Sequence, residues 1–313
     1  MPFDRDQMKI KAAELAAKGV FIGTSSWKYK GWRGMLYDEQ RYILHGKFSE
    51  KRLEEYCLPE YAHVFKTVCV DDAHYKFPDR AYLGSLVSVV PKDFQFAFKV
   101  TDAITIKRFP NKPRFGARAG KPNEDFLNAD LFANAFVTPC EEFRKNVSLH
   151  IFEFSRFHPS DYQHCSGFVA DLDRFLSLLP KGWPYAVEMR NKDFLQQDYF
   201  NCLSRHGVGH VFNSWDAMPS VSEQMAIPGS RTNPSLIASR FLLKPGRNYK
   251  EAEKMFYPYD KVKEQNPEAR VAGNALIAEG KSAGPERKTF IYVNNRLEGN
   301  ALETISAMLE GAD

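Results

Sequence analysis

The sequence contains little cysteine, and the arrangement of the cysteines excludes the usual disulfide and zinc frameworks. Five cysteines are scattered over 313 residues, and no two of them form a CxxC pair. An odd number of dispersed cysteines is typical of reduced thiols buried in a core. We therefore expect no metal site built on cysteine.

Long apolar segments are also absent. No apolar run approaches the length of about 20 residues that a helix needs to cross a bilayer. Residues 1–18 are charged and rich in alanine, and they contain no apolar segment of the signal-peptide type. These two absences predict a cytoplasmic protein that has no membrane as a partner.

The sequence also has only a small excess of positive charge and no glycine-rich phosphate motif after its first apolar run. The formal net charge of +4 is too small for a chain of 313 residues to indicate nucleic-acid binding by itself. No glycine-rich fingerprint follows the first apolar run, although open doubly wound sheets often carry one there. An open sheet is therefore disfavoured, and the sequence does not indicate a cofactor.

The chain does contain a regular series of short apolar strands. Most intervals between them carry a helical stripe of apolar residues, and no linker interrupts the series. Eight strands separated by helices predict an α/β fold, a parallel (β/α)8 TIM barrel. We expect one domain over residues 1–313, with a helical extension at about residues 4–18. The predicted strands cover residues 20–27, 65–70, 94–100, 147–154, 185–190, 209–215, 236–243 and 289–295.

The fifth predicted strand organises this scheme because it places two opposite charges on one face. Glu188 and Arg190 are two residues apart, so their side chains point to the same side of the strand. A buried carboxylate or guanidinium needs a partner. Charges late in a barrel strand usually belong to the active-site mouth. A structural ion pair that plugs the barrel is the alternative interpretation.

Polar groups recur at the ends of the other predicted strands. Since the carboxyl ends of parallel barrel strands meet at one face, we expect these groups to gather around a common hollow, the barrel mouth. They are Ser25, Asp71, Asp72, Lys99, Glu153, Asn213, Arg240, Asn294 and Asn295.

A basic loop follows the third predicted strand. Six lysines and arginines fall within residues 107–121, and the first acidic residue after them is Glu124. If this loop lies above a barrel mouth, its positive charge attracts an anion. A basic run that is simply solvated is the alternative interpretation.

The loops after the seventh and eighth strands contain further candidates for anion binding. Such loops commonly hold phosphate in this fold. Here they bring Arg247 and residues 295–296, and residues 299–300 open a predicted helix. Backbone N–H groups at a helix N-terminus favour an oxyanion. A tight turn at Gly299 into the last helix is the alternative.

Four motifs, spread from the first strand to the last, match a known pattern. They are residues 23–34 (GTSSWKYKGWRG), residues 65–68 (FKTV) leading to Tyr75, residues 187–190 (VEMR) and residues 293–301 (VNNRLEGNA). By these motifs the chain resembles the DUF72 (YecE-like) family of uncharacterised proteins. The resemblance covers nearly the whole chain and implies a TIM-barrel fold, but it implies no reaction.

Two stretches depart from the pattern of that family. The family usually has Glu-x-Asn after the second strand, where this chain has residues 69–72 (CVDD). It usually has Gln-Phe-Pro-Pro after the fourth strand, where this chain has residues 153–156 (EFSR). Any ligand contact at these two strand ends therefore has altered chemistry in this chain.

The first functional hypothesis is an enzyme that acts on a phosphorylated or carboxylated small molecule at the barrel mouth. Glu188 is the candidate general acid or base, Lys99 a second proton-transfer group or electrophile, and Arg190 a charge clamp. Hydrolase, lyase and isomerase chemistry all fit these roles. The candidate substrate-binding residues are Ser25, Trp27, Trp32, Asp71, Tyr75, Arg240, Arg247, Asn294, Asn295 and Asn300.

Other hypotheses use different chemistry. One is a binding protein for single-stranded nucleic acid or a nucleotide, in which aromatic residues stack on bases beside the basic loop. Another is a metal-assisted hydrolase that uses Asp71, Asp72, Glu188 and a histidine. A retaining glycosidase needs two carboxylates about 5–5.5 Å apart, such as Glu188 with Glu153, but the neighbouring cations disfavour it. The candidates for base stacking are Trp27, Tyr29, Trp32, Trp215 and Tyr249.

Overall fold

The core of the molecule is a closed barrel of eight parallel strands. The structure is a computed structural model that describes residues 3–311. Neighbouring strands in the barrel are also neighbours along the chain, and the last strand pairs with the first. This is the TIM-barrel fold that the sequence predicts. The strands are β1 (Val20–Thr24), β2 (Thr67–Val70), β3 (Gln95–Lys99), β4 (Val147–Phe154), β5 (Tyr185–Met189), β6 (Gly209–Ser214), β7 (Leu236–Phe241) and β8 (Lys288–Val293).

Helices surround the barrel and connect successive strands. They are α1 (Arg5–Ala17), α2 (Glu50–Val64), α3 (Arg80–Val87), α4 (Asp102–Thr105), α5 (Ala129–Phe132), α6 (Thr138–Cys140), α7 (Cys165–Leu178), α8 (Gln197–Arg205), α9 (Val221–Ala226), α10 (Tyr249–Phe256), α11 (Pro267–Ala283) and α12 (Ala301–Glu310). A separate two-stranded sheet, Ile43–Leu44 with Lys47–Phe48, lies between β1 and α2. Among residues 3–311, none of the helices combines the length and the apolar character that crossing a bilayer requires.

Side-chain caps set the points at which several connections become helical. Ser49 accepts a hydrogen bond from the backbone N–H of Arg52 at the start of α2, as the sequence predicts. Asn300 accepts from the N–H of Glu303 at the start of α12. These caps satisfy N–H groups that a helix leaves unpaired in its first turn.

Two connections differ from the sequence prediction. One helix is expected over residues 130–145, but α5 passes into a π-helical turn, Ala133–Val137, before α6. Pro139 explains the irregularity, because proline has no N–H for the regular helical ladder. Residues 244–258, expected as an irregular loop, contain α10. Asn248 caps that helix by accepting a hydrogen bond from the N–H of Lys250 at 2.9 Å.

The inside of the barrel has an apolar lower part and a charged upper part. Side chains two residues apart on each strand point inward in successive layers. The charged layer lies at the carboxyl ends of the strands, where barrels of this kind place their sites. The apolar residues that pack together inside the barrel are Phe21, Cys69, Ala97, Leu149, Ile151, Ala186, Val211, Leu236, Ala238, Phe290 and Tyr292.

Candidate functional site

A group of six charged side chains, here called the mouth network, fills the upper end of the barrel. Three carboxylates and three cations come from the ends of five strands and join through ion pairs of 2.6–3.4 Å. Five of the six side chains are buried, and the formal charges of the network balance. Its members are Asp71, Lys99, Glu153, Glu188, Arg190 and Arg240.

Glu188 lies at the centre of the mouth network and binds two arginines. Its Oε1 accepts a hydrogen bond from Arg190 Nε at 2.8 Å and lies 2.7 Å from Arg190 Nη2. Its Oε2 accepts from Arg240 Nη1 at 2.6 Å. Both carboxylate oxygens are therefore occupied, and the residue is fully buried. The contacts show that Glu188 holds two guanidinium groups, and its role as a general acid or base stays a prediction.

Glu153 is the second buried carboxylate of the network. Its Oε2 lies 2.6 Å from Lys99 Nζ and 2.8 Å from Arg190 Nη2. Burial by itself raises the pKa of Glu153, but the attraction of Arg190, Lys99 and other nearby cations exceeds that effect and holds the pKa well below its usual range. The hydroxyl of Ser155 donates to the other oxygen at 3.3 Å. Glu153 is therefore an ionised carboxylate at neutral pH.

Arg240 and Arg190 extend the network toward solvent and toward an aromatic ring. Arg240 Nη2 donates to Asp71 Oδ1 at 2.9 Å, and the Asp71 side chain is 31% exposed. The guanidinium carbon of Arg190 lies 3.7 Å from the ring centre of Trp215, which is a close cation–π contact. Asp71 is thus the member of the network that is most accessible from the mouth.

A cavity of about 570 Å³, here called the basic cavity, opens beside the mouth network. Its walls come from the loop after β3 and the loop after β4, and its volume is typical of small-molecule sites. Five lysines and arginines line it, against one acidic residue, Asp161. These cations are Lys107, Arg108, Lys112, Arg114 and Arg156.

Three of the five cavity cations are neutralised by nearby carboxylates. The pairs are Arg108 with Asp161 at 3.1 Å, Arg114 with Asp102 at 3.1 Å and Lys107 with Asp171 at 3.5 Å. Within residues 3–311, the side chains of Lys112 and Arg156 have no ion-pair or hydrogen-bond partner, and both are exposed. The basic cavity therefore carries two uncompensated positive charges.

His74 connects the basic cavity with the mouth network. It lines the cavity, and its Nδ1 lies 3.2 Å from the carbonyl oxygen of Val100. Burial and the nearby ammonium group of Lys99 lower the pKa of His74 to about 3, so the imidazole is neutral at pH 7. The ring packs edge-on against Tyr75, which is 65% exposed and lies under the guanidinium of Arg114. Tyr75 is therefore a predicted binding residue whose ring is open to solvent.

The predicted binding residues after β1 are buried. Trp32 is fully buried, and its Nε1 donates to Asn295 Oδ1 at 3.2 Å. Trp27 is also buried, and Ser25 Oγ is buried without a hydrogen-bond partner among the described residues. The two indole rings form part of a packed plug, the structural alternative for this loop. A contact between these rings and a ligand stays a prediction, and neither ring has an exposed surface that supports it.

The N-terminus of α12 is closed by side chains of the protein itself. Asn295 Oδ1 accepts from the N–H of Ala301 at 2.7 Å, and Asn300 Oδ1 accepts from the N–H of Glu303 in the same first turn at 3.0 Å. Gly299 has φ of +115°, and a Cβ there would lie 2.7 Å from the carbonyl oxygen of Lys261. Glycine is therefore required for a tight turn at this position. The N–H groups that were expected to favour an oxyanion are occupied or buried.

The remaining predicted cations and amides near β7 and β8 are also engaged. Arg247 Nη2 lies 2.7 Å from Glu264 Oε2. Asn294 is buried, and its Oδ1 accepts from the N–H of Arg296 at 3.0 Å. The guanidinium of Arg296 lies 4.4 Å from the ring centre of Tyr249. Arg296 therefore lies against an aromatic ring, whereas Arg247 is paired with a carboxylate.

The residues of the metal-assisted hypothesis are separately engaged. Asp72 Oδ2 pairs with Lys28 Nζ at 2.9 Å on the surface, and Asp71 and Glu188 are bound to arginines. These carboxylates therefore do not present a shared set of free ligand atoms.

A group of metal-ligand type does occur elsewhere in the described part of the chain. Ligand atoms of Asp173, Cys202 and His206 lie within 4.8 Å of one another. They lie on α7 and at the end of α8, in the outer helix layer. Arg205 Nη2 lies 2.8 Å from Asp173 Oδ1, so a cation already neutralises that carboxylate.

Sequence reasoning missed His74, Ser155 and Arg156 as site residues. His74 follows the second strand by four residues, in a short 3-10 turn, and Arg156 follows β4 by two. His74 follows the first of the two stretches that depart from the family pattern, and Ser155 and Arg156 lie within the second. That departure is the signal that points to them, because altered residues at strand ends alter the lining of a barrel mouth.

The fold and the site define a class: a parallel α/β barrel with a buried ion network and a basic cavity at its carboxyl-terminal mouth. The chain belongs to the family described as "Protein of unknown function DUF72", whose family model matches residues 21–313. The resemblance seen in the sequence motifs is thereby confirmed. No specific reaction comes with this family.

Solved structures of the same family share the fold. A DUF72 family protein (EF0366) from Enterococcus faecalis V583 is 18% identical, with a TM-score of 0.61, over 94% of this chain and 97% of that one. A DUF72 family protein (TM1631) from Thermotoga maritima MSB8 is 18% identical, with a TM-score of 0.59, over 93% of this chain and 99% of that one. At this identity the likeness concerns the fold alone. A comparison with curated proteins finds no match.

Proposed function

We propose that the protein binds an anionic small molecule, phosphorylated or carboxylated, in the basic cavity and acts on it by acid/base chemistry. The observation that carries this proposal is the charge of the cavity. Lysine and arginine outnumber acidic residues there by five to one, and Lys112 and Arg156 have no carboxylate partner in residues 3–311. An anion placed between these two cations supplies the missing counter-charge. A concave site with fixed charges of one sign also concentrates ligands of the opposite sign.

The mouth network supports the acid/base part of the proposal. Ser155 lines the basic cavity and donates to Glu153, whose other oxygen is 2.6 Å from Lys99 Nζ. Lys99 is therefore the proposed proton-transfer group, and Arg190 fixes Glu153 beside it. Glu188, the original candidate base, has the proposed role of holding the arginines. Proton transfer of this kind fits a hydrolase, lyase or isomerase.

Binding of single-stranded nucleic acid is the second candidate. The rings of Tyr75 and Tyr249 are 65% and 40% exposed near the mouth and offer surfaces for base stacking. Trp27 and Trp32 are buried and offer none. The salt dependence of binding distinguishes the two candidates. Affinity for a single strand falls with a logarithmic slope of about 0.7 per phosphate contacted, whereas a ligand with one or two phosphates gives a shallow slope.

Calorimetric titration with inorganic pyrophosphate tests the proposed site. We expect saturable binding that weakens several-fold in Arg156→Gln and in Lys112→Gln, because each variant removes one uncompensated charge. Lys145→Gln is the matched control, since it removes an exposed lysine just before β4, at the opposite end of the barrel. The proposal is overturned if pyrophosphate does not bind, or if Lys145→Gln weakens binding as much as the cavity variants do. Stronger, steeply salt-dependent binding of an oligonucleotide would favour the second candidate.

A further inference from the structure

One histidine faces the basic cavity with its ring orientation fixed. His74 Nδ1 lies 3.2 Å from the carbonyl oxygen of Val100, and a carbonyl oxygen only accepts hydrogen bonds. The Nδ1 atom must therefore carry the proton of the neutral ring. Nε2 is left as a lone-pair acceptor, and it has no partner within residues 3–311. The residue is largely buried and lines the cavity. A ligand bound in the cavity can therefore supply the hydrogen-bond donor for Nε2.

The charged groups around His74 keep the ring neutral. Lys99 on β3 and Arg190 after β5 disfavour a second positive charge, whereas Glu153 on β4 favours it. Burial and the two cations together outweigh the effect of Glu153 and lower the pKa of His74 to about 3. A neutral ring with Nδ1 protonated accepts at Nε2 and cannot donate there. His74 is therefore not one of the groups that hold a phosphate or carboxylate oxygen.

The other charged side chains of the cavity have the opposite character. Lysine and arginine are donors without any acceptor atom. They match the oxygens of an anion, whereas Nε2 of His74 does not. Asp161 is engaged by Arg108, and the Ser155 hydroxyl donates to Glu153. A ligand that satisfies both the cations and His74 carries a negative group together with a hydrogen-bond donor, and a hydroxyl is the simplest such donor.

We propose that His74 accepts, through Nε2, a hydrogen bond from a hydroxyl group of the bound anion. The site then selects hydroxylated anions, such as polyol phosphates or hydroxy acids, over anions of equal charge that lack a hydroxyl. This inference rests on the proposed function, because it assumes that the anion occupies the basic cavity. It makes His74 a specificity-determining residue, since a hydroxyl that donates to Nε2 adds a hydrogen bond that a ligand without a hydroxyl cannot make.

Paired phosphate esters test this selection. Glycerol 3-phosphate and propyl phosphate carry the same phosphate group, and only the first has hydroxyls. We expect calorimetry to show that the wild-type protein binds glycerol 3-phosphate about tenfold more tightly, as one additional net hydrogen bond provides. In His74→Phe this preference disappears, while the affinity for propyl phosphate is retained. His164→Phe is the control, because His164 is an exposed histidine at the start of α7 and does not line the cavity.

Each outcome separates the inference from the proposed function. If neither ester binds, the proposed function fails. If both bind equally to the wild-type protein, the inference is overturned and the anion site stands. If His74→Phe weakens both esters equally, the histidine acts as a cation and the inference is again overturned. His74→Gln, whose side-chain oxygen accepts hydrogen bonds, restores part of the preference if Nε2 is the acceptor, and this variant guards against a folding defect of the phenylalanine variant.

Discussion

Glu188 on β5 and Arg240 on β7 are joined by a contact of 2.6 Å between Oε2 and Nη1, and neither residue is more than 1% exposed. This ion pair spans the barrel mouth and is linked on both sides to further charges. A buried charge that loses its partner is strongly unfavourable. The burial of each of these two charges therefore depends on the other members of the mouth network.

The pair predicts a coupled effect on stability. Glu188→Gln leaves the charges of Arg190 and Arg240 partly uncompensated in a buried site, and we expect it to lower the free energy of unfolding by about 3 kcal/mol. Arg240→Gln is expected to cost a similar amount. The double variant should cost at least about 1 kcal/mol less than the sum, as measured by urea unfolding. Strict additivity would show that the two side chains do not act as a pair.

Burial is the main reason why the pKa of His74 is low, and the ammonium group of Lys99 adds to that effect. Replacing Lys99 with methionine removes the ammonium group that disfavours the imidazolium, so the pKa of His74 should rise from about 3 toward its ordinary value of 6.5. Burial still opposes protonation, and the rise is therefore expected to be partial. Nitrogen-15 NMR titration of the histidine rings measures it, with Lys145→Met as the control of equal charge change. An unchanged titration of His74 in Lys99→Met would contradict the proposed coupling.

His150 predicts a pH effect that has no connection with ligand binding. Its ring is enclosed by Phe132, Phe136, Trp183 and Tyr185, and neither ring nitrogen has a partner within residues 3–311. Burial lowers the pKa of His150 to about 3 from 6.5. Between these pH values the unfolded chain binds a proton that the folded protein does not. Stability contributed by the neutral ring is therefore present above pH 6.5 and is lost as the pH falls, by about 1.4 kcal/mol per pH unit.

Replacing His150 with phenylalanine should remove this loss. We expect His150→Phe to raise the free energy of unfolding by about 1–2 kcal/mol at pH 7.5, because an unpaired buried polar group is removed. The gap between variant and wild type should widen at pH 5.5 and again at pH 4.5. Urea unfolding at the three pH values measures it, and the exposed His158 serves as the control position. A gap that does not change with pH would show that His150 is protonated in the folded protein.

Asn295 tests whether the aromatic plug after β1 is structural. Its Oδ1 accepts from both Trp32 Nε1 and the N–H of Ala301, so it ties the plug to the start of α12. Asn295→Ala should lower the free energy of unfolding by about 2 kcal/mol through loss of these two hydrogen bonds. Pyrophosphate affinity should not change. A variant of normal stability that loses the anion would instead restore Trp32 and Asn295 as ligand-binding residues.

The sequence predicts the fold because each strand and most helices carry a local pattern. Alternation of apolar residues and polar strand ends is sufficient to place eight strands and the mouth. The shared face of Glu188 and Arg190 follows from the two-residue period of a strand, and their contact of 2.7 Å agrees with it. Asp71, Lys99, Glu153 and Arg240 also come together with them, as the parallel topology requires.

The pairing of charges is the part that the sequence alone does not provide. Which carboxylate neutralises which cation depends on distances across the barrel, and those are set by strand stagger and by side-chain rotamers. Arg247 therefore pairs with Glu264, whereas the side chain of Arg156 has no partner among the described residues. Burial of Trp32 likewise depends on loop packing that has no periodic signal. The departures from the family pattern at residues 69–72 and 153–156 are informative, since both stretches contribute to the mouth network.

The most direct test of the account is the position of a bound oxyanion in crystals of the wild-type protein. Tungstate resembles phosphate in charge and shape, and its anomalous scattering locates it without ambiguity. The account predicts a tungstate peak inside the basic cavity, within contact distance of Lys112 or Arg156 and on the same side of the barrel as His74. A peak only at the start of α12 or on the outer helices, with the cavity empty, would contradict it.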